Sequence, residues 1–204
     1  MIFVRKYNGS VGTERITEGG IIVTYAFELF FDSEMEEKIM TLARIVAEKG
    51  ISTRYLEWKT RPHITLGVFE DIDETKGTDI LKAFAKSHAP SPAFLHSVAM
   101  FTDTKVVYLL PALNQSLFAL QRELYDRMSE FHGQWKDWYR PDVWAPHCAV
   151  ALTAEDGQDA FYQASELILR AFQKTGGMYS SVGLVKITFP VEELARFAFE
   201  GGRA

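Results

Sequence analysis

Hydrophobic and polar positions along the chain switch repeatedly between two periods. Ile21 to Phe31 is β-branched and aromatic, interrupted only by Glu28, and predicts a strand. Asp32 and Ser33 can cap the helix that follows, where Ile39, Leu42, Ala43, Val46 and Ala47 recur at helical spacing as far as Gly50. A strand is expected over 63–69 behind Pro62, a helix over 79–86, and strands over 94–101 and 105–110 joined by a Thr102-Asp103-Thr104 turn. The second half repeats this order. Asn114 caps a helix carrying Leu117, Leu120, Leu124 and Met128 on one face. An aromatic and charged loop over 132–145 leads to a strand over 147–152, a helix over 160–173 and strands over 183–189 and 194–199. Helices interspersed with hairpins and crossovers predict an α+β fold in two related lobes. The expected organisation is an N-terminal extension over 1–20, a single bilobal domain over 21–199, its lobes not contiguous in sequence, and a tail over 200–204.

Composition narrows the function classes. With 204 residues, 47% hydrophobic and 24% charged, the chain suits one domain or two small lobes sharing a core, and disorder or low complexity is excluded. A net charge of −5 argues against coating extended duplex nucleic acid, and leaves room for a local basic patch beside a small phosphorylated substrate. No apolar run approaches the ~20 residues that span a bilayer, and the first residues lack the order of a secretory signal. The single cysteine, Cys148, permits no internal disulfide and no cysteine-based zinc cluster, so a cytoplasmic location is expected. Cys148 itself reads as a small buried hydrophobe. His88, His96 and His132 lack metal-ligand spacing and read as surface or loop residues, and Thr175 to Ser181, which lacks the ending of a phosphate loop, reads as a turn.

The informative feature is a repeat. Arg61-Pro62-His63-Ile64-Thr65-Leu66 is echoed by Ala145-Pro146-His147-Cys148-Ala149-Val150, 84 positions later (147 minus 63), and each Pro-His opens an apolar strand. Strand alternation puts His63 and Thr65 on one face and Ile64 and Leu66 on the other, with His147 and Ala149 sharing a face in the second copy. If the lobes pack as equivalent halves, the imidazoles meet across a cleft. One neutral and one protonated imidazole would then be a general base facing a general acid.

The paired motifs, with Val106-Val107-Tyr108-Leu109 leading into Pro111 and a helix between them, resemble the two-histidine phosphoesterases, in particular the bacterial 2′-5′ RNA ligase-like branch, over roughly residues 21–199. The resemblance implies two pseudo-symmetric lobes of antiparallel-rich sheet with outer helices around a central cleft. It also implies metal-independent phosphodiester chemistry, with no cofactor, on 2′,3′-cyclic phosphates or 2′-5′ RNA links. By position, His63 and His147 would be the acid–base pair, and Thr65 would hydrogen-bond a non-bridging phosphate oxygen. Arg61, Tyr139 and Arg140 are further substrate-binding candidates, and the aromatic run from Trp135 to Trp144 could stack a base. The expected partner is a small phosphorylated nucleotide or an RNA terminus.

The second motif departs from the family pattern, which has Thr or Ser where this chain has Ala149. A hydrogen bond to a charged group contributes roughly 1.5–3 kcal/mol, so its loss would cost about one to two decades in rate. A replacement donor could come from Tyr139, Arg140 or a residue near Tyr179. The alternative is a non-catalytic or partly decayed module that binds phosphorylated nucleotides.

Overall fold

The structure, a computed structural model, describes residues 15–17 and 20–201. β1 (Arg15–Thr17) and β2 (Gly20–Ile22) form a separate two-stranded ribbon. The remainder of the expected extension, 1–14 and 18–19, and most of the expected tail, 202–204, lie outside the described residues. The main body then runs β3 (Thr24–Phe31), α1 (Ser33–Glu48), α2 (Arg54–Glu57), β4 (His63–Glu70), α3 (Glu74–Ser87), β5 (Ser91–Phe101) and β6 (Val106–Pro111). It continues through α4 (Gln115–Arg127), β7 (Cys148–Leu152), α5 (Gln158–Ala171), β8 (Thr175–Lys186) and β9 (Glu192–Ala198).

Seven strands form one antiparallel sheet in the order β4-β3-β8-β5-β6-β7, with β9 also paired to β8. β8 joins the halves. One edge of it pairs with β3, and the other pairs with β5 through Thr175 to Tyr179 and with β9 through Ser181 to Lys186. The fold is α+β, as the element order predicts, and its two lobes share this continuous sheet.

β3 reads as an almost unbroken apolar run because seven of its eight residues are buried. Phe27, Phe69, Phe84 and Phe161 are fully enclosed, and burying such a side chain contributes about 1.5–3 kcal/mol. Asp32 caps α1 as expected, accepting from the Met35 amide at 2.9 Å. Its second carboxylate oxygen accepts from the Met178 amide and so ties the helix start to β8.

Two local expectations need correction. Thr175 to Ser181 is not a turn but the first half of β8. Glycines favour turns in isolation, yet a Cβ at Gly177 would lie 2.5 Å from an Asp32 carboxylate oxygen, so this glycine lets α1 sit over the strand. α3 begins at Glu74 rather than 79, capped by Asp73, whose carboxylate accepts from the Thr75 and Lys76 amides. Its first turn is polar, so the hydrophobic period becomes visible only further along.

The ends of the strand order, β4 and β7, approach each other. Cys148, which opens β7, is fully buried. Ser52 Oγ lies 3.0 Å from the Leu152 carbonyl and 2.8 Å from the Asp156 carboxylate, its one proton serving these two acceptors, and Arg54 pairs with Glu155 at 2.8 Å. The sheet therefore curls until the strand that His63 opens and the strand that follows His147 face one space.

Candidate active site

On β4, Ile64 and Leu66 are fully buried, while His63 and Thr65 line an open cleft. On β7, Cys148 and Val150 are fully buried, and Ala149 lines the same cleft beside His147. Strand alternation thus delivers both motifs to one cavity, as the repeat predicts.

The imidazoles are held by the same backbone device. His63 Nδ1 donates to the Arg61 carbonyl at 2.6 Å, and His147 Nδ1 donates to the Ala145 carbonyl at 2.8 Å. A carbonyl oxygen can only accept, so Nδ1 carries a proton in each ring. In the neutral form Nε2 is then the basic nitrogen, and in the cation it is the acidic one.

The His63 side is polar. Glu28 on β3 pairs in register with Thr65, and its carboxyl lies 3.3 Å from His63 Nε2. The Tyr139 hydroxyl stands beside the Thr65 side chain, and burial pushes it up to about 12. The loop bearing Tyr139 is fixed by Gln121, whose amide donates to the Leu66 and Tyr139 carbonyls at 3.1 and 2.8 Å. Trp144 Nε1 also donates to the Thr65 carbonyl at 3.0 Å. Trp135 lies against Gly67 so closely that a Cβ there would be 2.3 Å from the indole.

The His147 side is apolar. Phe101 meets the imidazole edge-on at 4.9 Å between centroids, and Tyr108 packs at 5.3 Å. Tyr108 is also the cross-strand partner of Ala149.

Burial dominates the electrostatics. It lowers His63 to about 4, partly opposed by the Arg61 carbonyl, and lowers His147 to about 4, with the nearby His63 acting in the same direction. Burial, then Glu193, raises Glu28 to about 8 against the lowering influence of Arg61. Burial thus favours the uncharged form of both groups, so the 3.3 Å contact between Glu28 and His63 is not a full ion pair at neutral pH.

The other candidates divide. Arg61 lines the cleft, but its guanidinium donates to Glu36 at 3.0 Å and stands 3.7 Å from Glu193. Arg140 is exposed, 3.8 Å from Asp142, and does not line the cleft. Tyr179 is buried against Phe31 and does not line it either. Among cleft residues that the sequence reading missed, Lys59 is an exposed cation with no ion-pair partner among the described residues, and Trp58 and Phe189 form a wall with centroids 4.0 Å apart. Glu28 had a visible signal, since it is the one charge interrupting the apolar run of β3. His88 and His132 serve packing: His88 contacts Glu123 at 3.3 Å, and His132 stacks on Tyr125 at 3.9 Å. Among the described residues no three side chains of metal-ligating type cluster, and no helix is long and apolar enough to cross a membrane.

A curled antiparallel sheet presenting one Pro-His motif from each half to a shared cleft is the architecture of the two-histidine phosphoesterases. The profile of the 2′-5′ RNA ligase superfamily matches residues 33–202, and the chain belongs to this family. Solved structures agree on the fold. The protein TT0787 of Thermus thermophilus is 14% identical, with 88% of this chain and 99% of that one covered at a TM-score of 0.56. Escherichia coli LigT complexed with NADP+ is 15% identical, covering 87% and 97% at 0.54. The LigT complex with 3′-AMP is 13% identical, covering 87% and 98% at 0.53. No curated protein matches the chain by sequence.

Proposed function

We propose that the protein is a metal-independent phosphodiesterase, or RNA ligase-like enzyme, acting on a 2′,3′-cyclic phosphate or a 2′-5′-linked nucleotide end. The observation that carries this reading is the pair of imidazoles, each held at Nδ1 by the carbonyl two residues before it, lining one cleft. In hydrolysis of a cyclic phosphate, one Nε2 accepts a proton from water as its oxygen bonds to phosphorus. The phosphorus–ribose oxygen bond breaks, and the other Nε2–H protonates the departing oxygen. Thr65 and Tyr139 supply hydroxyls on the His63 side for the equatorial oxygens. Lys59, a lining residue with no ion-pair partner among the described residues, offers a cation, and the Trp58–Phe189 wall a surface for a base. That LigT, of the same fold, forms complexes with NADP+ and 3′-AMP is consistent with a nucleotide in the cleft.

The test is turnover of the four 2′,3′-cyclic nucleotides in excess chelator between pH 3.5 and 9. A bell-shaped profile is expected, its acid limb rising as the base histidine loses its proton near 4, the value to which burial lowers it. No turnover of any of the four would remove cyclic mononucleotides as substrates.

Ala149 favours a second reading, a binding module that retains affinity without turnover. Ala149→Thr separates the two: a weakened enzyme gains rate, whereas a dedicated binder shows no turnover in either form.

A further inference from the structure

The proposed reaction uses two histidines and leaves the buried Glu28 without a task. A carboxyl that is 7% exposed inside an apolar strand is costly unless it is neutral or partnered. The groups facing it are known from each direction. His63 is 3.3 Å away on β4, Arg61 precedes that strand, and Glu193 faces it from β9. Tyr139, Cys148 and Tyr55 approach from the loop, β7 and α2. Arg61 is engaged by Glu36 and Glu193, and Glu193 also stands 3.4 Å from Arg196, so among the described residues no cation is dedicated to Glu28. His63 Nε2, the nitrogen the reaction needs, lies 3.3 Å from its carboxyl.

Resting on the phosphodiesterase reading, we infer that Glu28 is a positioning residue that keeps a proton on the Glu28–His63 pair, which makes His63 the acid and leaves His147 as the free base. Among the described residues His147 has no ion-paired carboxyl, and its ring is bordered by Phe101 and Tyr108. The proton balance closes. As the phosphorus–oxygen bond breaks, Nε2–H of His63 passes its proton to the ribose oxygen, leaving neutral imidazole beside the Glu28 carboxylate. His147 has taken one proton from water. Exchange with solvent returns one proton to the pair and removes one from His147.

The burial directions agree. Burial lowers His63 to about 4 and raises Glu28 to about 8, so at neutral pH the carboxyl holds the proton, and the 3.3 Å contact lets it pass to His63 Nε2. The alkaline limb of the rate profile therefore belongs to the pair.

Glu28→Gln keeps the shape and removes the shared proton. Two measurements on the full chain test it. In ¹⁵N-histidine NMR without substrate, the His63 ring of the wild type should show a step near pH 8 that is absent in Glu28→Gln, with His147 unchanged. In kinetics, Glu28→Gln should move the alkaline limb from about 8 towards about 4 and lower kcat/KM at pH 7 by roughly two to three decades. A residue needed only for packing would lower the rate without moving that limb. Absence of the wild-type step, its persistence in Glu28→Gln, or an unmoved limb would overturn the inference. Because the NMR arm needs no turnover, a step that behaves as expected in a protein inactive on nucleotides supports the pair and counts against the phosphodiesterase reading alone.

Discussion

The two halves of the cleft use one backbone device and surround it with opposite chemistry. Each imidazole is pinned at Nδ1 by the carbonyl two residues earlier. Around His63 stand Glu28, Thr65 and the Tyr139 hydroxyl, whereas around His147 stand Phe101, Tyr108 and Ala149. On the proposed reading the pseudo-symmetric pair divides the labour: pinning leaves Nε2 of either ring free for proton transfer, and the surroundings set which ring holds a proton and which side offers donors to phosphate.

The comparison yields graded predictions. His63→Ala and His147→Ala remove the shared feature and should each lower kcat/KM on a cyclic nucleotide by ~10²–10⁴-fold, the range for a positioned proton-transfer group. Thr65→Val strips a donor from the polar half, and steady-state kinetics should show a loss of about one to two decades. Gly67→Ala attacks the buttress behind that half. Its Cβ would meet the Trp135 indole at 2.3 Å, so thermal unfolding should show a cost of about 1–3 kcal/mol. Ala149→Thr moves the apolar half towards the polar one and should raise kcat/KM by up to about a decade, with KM little changed. Gly133→Ala, where nothing lies within 4 Å, should change stability by less than about 0.5 kcal/mol.

Much of this contrast was readable along the chain. The Pro-His repeat and strand alternation are local, so they placed both histidines and Thr65 on the cleft face. Ala149 exposed the weaker half directly. Other features depend on tertiary contacts. Glu28 is diagonal to His63 across a strand pair, a relation set by register rather than by spacing within one strand. Gln121 looks like one more polar residue on α4, yet it is 1% exposed and clamps β4 to the Tyr139 loop. Arg140 and Tyr139 are adjacent in sequence, but a short 3-10 turn at Asp137–Tyr139 buries the tyrosine and leaves the arginine outside. The strand beginning at Thr175 was hidden because Gly177 answers to the close approach of α1 and Gly176 to the Phe94 ring of β5, and not to local propensity.

The most direct measurement is kcat/KM for a 2′,3′-cyclic nucleotide in excess chelator for the wild type, His63→Ala, His147→Ala and the double variant. The account predicts turnover in the wild type and a loss of at least ~10²-fold in either single variant. It also predicts a double variant little worse than the singles, because acid and base act as a unit. Wild-type rates in either single variant, or a wild-type rate abolished by chelator, would contradict it.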